Sequence, residues 1–277
     1  MQATLWMLGA LLSFSSMAIA GRELSDDVPV FLMLLIRSLI GLIIICSIIT
    51  WQRQFELFNT RRLKLHTVRN VFHFGGQLGW FIGIGLLPLG EVFALEFTVP
   101  FWTVLLATFI LKDKLTSRKI IAVSMGMAGV LFVVRPGIEI LDSAALIVLA
   151  AAFGYAASHT ATKVLSDTEA PLTILFYMCL IQLPIGLVLS WNNLSLPDSA
   201  HYPWLILIGT TALTAHFCMT KALQQTDVTT VVTLDFLRLP LIVVIGMLFY
   251  AEPFDIWVIV GGALMLAGNI FNQKRAT

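Results

Sequence analysis

Ten apolar runs of about 20 residues, parted by short polar breaks, constrain this 277-residue chain more than any other feature. They fall at about 3–21, 30–51, 67–87, 89–111 and 119–134, then at about 143–163, 171–191, 203–222, 228–250 and 255–272. An apolar helix of that length crosses the hydrocarbon core of a bilayer and satisfies every backbone polar group internally, which lipid demands. Hydrophobic residues make up 58% of the chain and charged residues 12%. A soluble domain carries about 25% charge, so this chain has too few charges to clothe an interior of that size. The sequence predicts an all-α integral membrane fold of ten transmembrane helices. Ala18-Ile19-Ala20 has the look of a leader-cleavage site, but no basic residue precedes it and similar segments follow. The first run therefore reads as a retained span.

The same numbers exclude several functions. A net charge of +1 and no Lys/Arg-rich run argue against nucleic-acid binding. Cys46, Cys179 and Cys218 each lie inside an apolar run without a CxxC pair, so neither a disulfide framework nor a thiolate metal site is expected. No Walker-type GxxxxGK[ST], HExxH or GxSxG pattern occurs, which leaves no sequence basis for an ATPase or a hydrolase. No cofactor is implied.

Basic residues orient the spans. The link after the second run holds Arg53, Arg61, Arg62, Lys64 and Arg69, and the link after the fourth holds Lys112, Lys114, Arg118 and Lys119. With Lys163, Lys221, Lys274 and Arg275, thirteen of the 17 Lys and Arg residues fall on one side. Only Arg22 and Arg135 fall on the other, so both termini are expected in the cytoplasm.

Spans four and nine look alike. Glu96-Phe97-Thr98-Val99-Pro100 opens an apolar stretch ending at Asp113, and Asp235-Phe236-Leu237-Arg238-Leu239-Pro240 opens one ending at Glu252. Asp113 and Glu252 each precede a glycine, Gly129 and Gly268, by the same sixteen residues. Two five-span halves follow, 1–135 and 143–277. Five is odd, so the second half enters from the opposite face and the repeat is inverted. Pro100 and Pro240 are expected helix breaks, the best sequence pointer to a transporter's binding site. The segments Glu96 to Gly137 and Pro240 to Gly268 resemble the drug/metabolite transporter superfamily, in its form with two EamA domains. The resemblance covers essentially the whole chain, although Asp113 stands where the pattern more usually has Glu. The "RPG" ending and the "LEFT-P-W" core are similar to bacterial members that include S-adenosylmethionine uptake carriers. It implies ten spans, an inverted repeat and a central substrate cavity, and leaves the substrate open.

Polar residues at membrane depth are the candidate site, because a charge there costs at least about 2.5–3.5 kcal/mol. Arg37 and Glu96 each lie seven residues into a span. Glu96 shares a wheel stripe with Pro100, Thr103 and Ala107, and reads either as a substrate-binding or proton-carrying carboxylate or as the partner of Arg37. Asp235 and Arg238, three apart, form either an internal ion pair or a substrate contact. In span three, Asn70, His73, Gln77 and Trp80 recur at helical spacing, with Gly75, Gly79 and Gly83 on another face. Tyr155 and His159 in span six and Trp102 in span four complete the expected lining.

The leading function is a secondary transporter of a small organic metabolite, either an amino acid, a derivative of one, or an S-adenosylmethionine-like solute. A proton or another ion is a candidate for coupling, and a monomer or a homodimer is expected. An exporter of drugs, vitamins or nucleotide-like metabolites, a lipid flippase and a non-transporting scaffold are the alternatives.

Overall fold

The computed structural model describes residues 2–110, 116–135, 143–166, 168–223, 225 and 234–273. The described residues form helices and no strand. In chain order these are α1 (Gln2–Leu24), α2 (Val30–Trp51), α3 (Leu63–Leu86), α4 (Leu89–Glu96), α5 (Val99–Ile110) and α6 (Ser117–Val134). Then come α7 (Ser143–Ser166), α8 (Pro171–Ser190), α9 (Tyr202–Leu223), α10 (Arg238–Tyr250) and α11 (Ile256–Gln273). Asp113, Lys112, Lys114, Gly137, Lys274, Arg275 and residues 228–233 lie outside the described residues.

Seven stretches among the described residues are long and apolar enough to cross a membrane, the paired α4–α5 counting as one. The third expected span is a 24-residue helix that misses on composition, because it carries Lys64, His66, Arg69, Asn70, His73 and Gln77. The ninth and tenth correspond to shorter apolar helices, Arg238–Tyr250 and Ile256–Phe271. Arg69, counted above with a loop, belongs to the interior of α3 and is 4% exposed. The helix starts at Leu63, one turn earlier than the apolar pattern suggests.

Packing follows a two-fold pattern. The two most extensive pairings are α3 on α7 and α1 on α9, and these exchange under a swap of the chain's halves. The next two, α6 on α11 and α2 on α8, each pair equivalent helices of the two halves. Small residues permit the approach. A Cβ on Gly129 would lie 2.7 Å from the Gly261 carbonyl, and one on Gly268 would lie 3.0 Å from that of Ala122. These two glycines occupy corresponding places in the halves, so one crossing is made twice. In α3 the packing glycines are Gly76, Gly79 and Gly83, each set against α7, whereas nothing lies within 4 Å of a Cβ on Gly75. The stripe expected at Gly75 is thus displaced by one residue, because Gly76 is the position that meets Tyr155 and the Ala151 carbonyl.

A contrast in stability follows. Gly129→Val must push α6 and α11 apart against backbone, which costs about 1–3 kcal/mol. Gly75→Ala meets open space and gains helix propensity, by about 0.5–1 kcal/mol. Thermal unfolding of the two detergent-solubilised variants should show a lowered and an unchanged or raised midpoint.

Both helix breaks occur where proline chemistry requires. Proline lacks an N–H and its ring collides with the carbonyl four residues earlier. For Pro100 that residue is Glu96, the last residue of α4, and Phe97-Thr98 form a turn before α5. For Pro240 it is Phe236, and Phe236-Leu237 form the turn before α10. The two turns meet: Phe97 stacks on Phe236 with ring centroids 4.2 Å apart. Between Leu89 and Leu95 every residue of α4 except Glu91 is buried, so the short helix runs through the centre of the bundle.

Candidate binding cavity at the helix breaks

A cavity of about 200 Å³ lies beside the stacked turns. α3 supplies His73, Gln77 and Trp80, the segments around the two helix breaks supply Glu96, Pro100, Asp235 and Arg238, and α7 supplies Tyr155 and His159. Arg37 of α2 also reaches it. The structure thus brings together ten of the residues singled out from the sequence.

At one end two carboxylates share one guanidinium. Arg238 Nη2 donates to Asp235 Oδ2 at 2.9 Å and to Glu96 Oε1 at 3.3 Å. Trp80 Nε1 donates to the second Glu96 oxygen at 2.9 Å. Asp235 Oδ1 is buried without a hydrogen-bond partner among the described residues. The rings of Phe14, Phe93 and Phe97 lie 4.7, 5.1 and 5.4 Å from the Arg238 guanidinium carbon and provide its apolar shell. Glu96 and Asp235 each precede one of the stacked phenylalanines, so the halves contribute equivalent acids. Only the second half contributes a base, since Val99 stands where Arg238 stands. The cluster therefore holds one carboxylate more than it holds cations.

The expected Arg37–Glu96 pair is not formed. Arg37 Nη1 donates instead to Gln77 Oε1 at 3.0 Å and to Gln182 Oε1 at 3.4 Å, while Glu96 is held by Arg238 and Trp80. Trp102 does not line this cavity. The break at Phe97-Thr98 interrupts the wheel that would carry Glu96's face onward, and Trp102 Nε1 turns back to Thr98 Oγ1 at 3.1 Å. It lines a smaller apolar pocket with Phe101 and Val123. Pro240 breaks its helix yet points to the exterior, and Thr103 donates to the Val99 carbonyl instead of lining the cavity.

Four side chains at the cavity escaped the sequence reading of the site. His216 and Met219 of α9 line the cavity one turn apart. Gln182 of α8 and Arg69 of α3 stand behind it, with Gln182 Nε2 2.9 Å from His73 Nδ1 and Arg69 Nη1 donating to Asn70 Oδ1 at 2.7 Å. A polar residue in the middle of a largely apolar helix is the signal that could have found Gln182, and an ionisable ring within a membrane-length helix the one that could have found His216.

Away from the cavity, Glu252 ties the α10–α11 link to the start of α4. It accepts from Arg22 Nη2 at 3.0 Å and from the Leu89 N–H at 2.9 Å. Burial pushes its carboxyl above the ordinary carboxylate value, against the opposing pull of the Leu89 amide and Arg22. Arg135 Nη2 donates to Asp255 at 2.6 Å on the same link.

Comparisons with known proteins place this geometry. The model of the EamA-like transporter family matches residues 1–135 and 142–272. A riboflavin transporter of Rhizobium johnstonii is 30% identical over 214 residues, 76% of this chain and 70% of its own. An S-adenosylmethionine uptake transporter of Rickettsia bellii is 20% identical over 274 residues, covering 98% of this chain and 94% of its own. The pseudopaline exporter CntI of Pseudomonas aeruginosa is 24% identical and covers 94% of this chain and 92% of its own. A solved crystal structure superposes with a TM-score of 0.69 at 17% identity, covering 98% of this chain and 96% of that one, a likeness of fold.

Proposed function

The chain belongs to the EamA-like transporter family, and from that premise we propose that it is a secondary active transporter that moves a small organic metabolite across the bacterial inner membrane. It is a multi-pass membrane protein, and its family and relatives point to a transporter rather than an enzyme. Ten spans in two inverted halves, 1–135 and 143–277, with both termini cytoplasmic, complete the proposal. The exchange-symmetric helix pairings, the doubled glycine crossing and the paired breaks support the two halves. The side-to-side bias of Lys and Arg supports the orientation. Transport proceeds by rocking of one half against the other around the cavity.

One observation carries the reading: the Glu96–Arg238–Asp235 cluster inside a cavity at two helix breaks. An excess carboxylate at membrane depth is expensive, and such groups mark substrate and proton pathways. The solute therefore presents a cationic group to Glu96 and Asp235 and a flat or apolar body to Trp80, Tyr155 and Phe97. An amino acid, an amino-acid derivative or an S-adenosylmethionine-like solute fits. In the empty carrier the surplus carboxylate takes a proton, so proton and solute compete for one negative charge. A heteroaromatic vitamin is the second reading, favoured by the aromatic walls and by the riboflavin-named relatives.

Flux into proteoliposomes across a panel of amino acids, S-adenosylmethionine, nucleotides and flavins, with and without a pH gradient, tests the proposal. Saturable uptake or exchange of a cationic or zwitterionic panel member is expected. Flux of flavins alone would move the assignment to the second reading, and absence of flux across the panel would favour a scaffold.

A further inference from the structure

The far side of the cavity holds hydrogen-bond donors with nothing to bond. Arg37 and Arg69 are each 4% exposed, and among the described residues neither pairs with a carboxylate. Their acceptors are neutral: Gln77 and Gln182 for Arg37, Thr162 and Asn70 for Arg69. Two guanidinium charges thus sit in the protein interior with only dipoles bonded to them among the described residues. Removing such charges from water is repaid only by close opposite charge, and the described residues supply no bonded one.

The arginines also fix the protons of the groups between them. A guanidinium only donates, so each amide it meets must turn its oxygen toward it. Gln77 and Gln182 therefore point their amide nitrogens the other way, and both reach His73 Nδ1, at 3.0 and 2.9 Å. Two N–H groups converging on one ring nitrogen make it an acceptor, so the proton of His73 resides on Nε2. That Nε2 is buried with no hydrogen-bond partner among the described residues, and His73 lines the cavity. The Arg37 Nε–H is likewise buried without a partner among the described residues, and Arg37 lines the cavity as well. A donor buried without an acceptor costs about 1–3 kcal/mol. Two such donors, one carried by an unpaired cation, converge on one cavity.

We propose that Arg37 and His73 form an oxyanion subsite that takes a carboxylate or phosphate group of the transported solute. Arg37 Nε–H and His73 Nε2–H donate to the oxyanion, and Gln77 and Gln182 position both donors. The proposal rests on the transporter reading above and extends it: the solute carries an anionic group as well as the cationic one directed at Glu96 and Asp235. The cavity is then bipolar, and neither end alone selects the solute. A solute with both groups offers partners to Asp235 Oδ1, Arg37 Nε–H and His73 Nε2–H, whereas one lacking the oxyanion leaves the Arg37 charge without a counter-charge. Such omissions are discriminated more strongly than differences in apolar bulk.

The test uses the full chain in detergent and two readouts. The first is thermal unfolding with acetate, inorganic phosphate, or the pair methionine and methioninamide, each against chloride at matched ionic strength. The wild type is expected to be stabilised by at least one oxyanion probe, with dissociation constants at least tenfold weaker in Arg37→Gln and His73→Phe and partly restored in Arg37→Lys. Preference for methionine over methioninamide identifies a carboxylate, and preference for phosphate identifies a phosphoryl group. The second readout is ¹⁵N NMR of the histidine rings in the wild type, with His73 assigned by its loss in His73→Phe. It requires no variant of Arg37 to fold, and is expected to show a protonated Nε2 and a bare Nδ1. A proton on Nδ1, no stabilisation by any oxyanion, or equal stabilisation of wild type and variants would overturn the proposal. Because both readouts need no membrane, binding without flux would sink the transport reading alone, and flux without oxyanion binding would sink the subsite alone.

Discussion

Arg238→Leu is expected to destabilise the protein by about 3–5 kcal/mol, the largest effect of any single substitution in the cavity. Arg238 is 2% exposed and, among the described residues, is the one cation that bonds both Glu96 and Asp235. Taking it away leaves two carboxylates buried beside each other, with Trp80 as the remaining donor to Glu96. The packing of Phe14, Phe93 and Phe97 around the guanidinium is lost as well. The check is a three-way comparison of thermal or denaturant unfolding in detergent. Arg238→Leu alone should unfold far more readily than wild type. Glu96→Gln with Asp235→Asn and Arg238→Leu should recover most of the loss, because a neutral, hydrogen-bonded cluster of similar shape leaves no uncompensated charge. Failure of the triple variant to recover would mean that Arg238 acts through packing and not through charge.

The second large effect is on transport and leaves the fold intact. Glu96→Gln removes the surplus carboxylate and leaves Asp235 and Arg238 as a balanced pair at 2.9 Å. Its amide oxygen still accepts from Trp80 or Arg238. Stability should change by less than about 1 kcal/mol, while flux of a cationic solute falls by roughly tenfold or more, equivalent to about 1.4 kcal/mol of lost attraction. The pH dependence should change with it. In the wild type, protons and a cationic solute compete for one negative charge, so apparent affinity weakens as pH falls. In Glu96→Gln that dependence flattens. Unchanged flux and an unchanged pH profile in proteoliposomes would assign Glu96 to packing alone.

Much of this arrangement is legible in the residues. Helical spacing placed His73, Gln77 and Trp80 on one face, and the cost of intramembrane charge pointed to Arg37, Glu96, Asp235 and Arg238. The run at about 30–51 coincides with α2, because nothing in it competes with an apolar helix. The misreadings have local causes. Thr103 falls on Glu96's face only on a helical wheel that assumes a continuous helix, yet Pro100 interrupts it between Glu96 and Val99; Trp102, expected as a cavity wall, lies beyond that same break. Arg69 reads as a loop charge because arginine usually marks the membrane face, and only its burial and its tertiary contact with Thr162 reveal it inside the bundle. Gln182 is a lone amide in an apolar stretch of α8 with no periodic partner to announce a face, and His216 lies among the threonines of α9, off the face that Thr211, Thr214 and Lys221 suggest. The choice of Arg238 over Arg37 as the partner of Glu96 depends on how the halves meet at Phe97 and Phe236, which no local pattern encodes.

The central claim is that the cavity at the paired breaks opens to the two sides of the membrane in turn. Replacing Cys46, Cys179 and Cys218 by alanine and introducing His159→Cys places one thiol on the cavity wall. Labelling with a membrane-impermeant maleimide in vesicles of each orientation then reports access directly. The account predicts modification from both faces, slowed by whichever solute is transported. Modification from one face only, under every solute and pH condition, would contradict it.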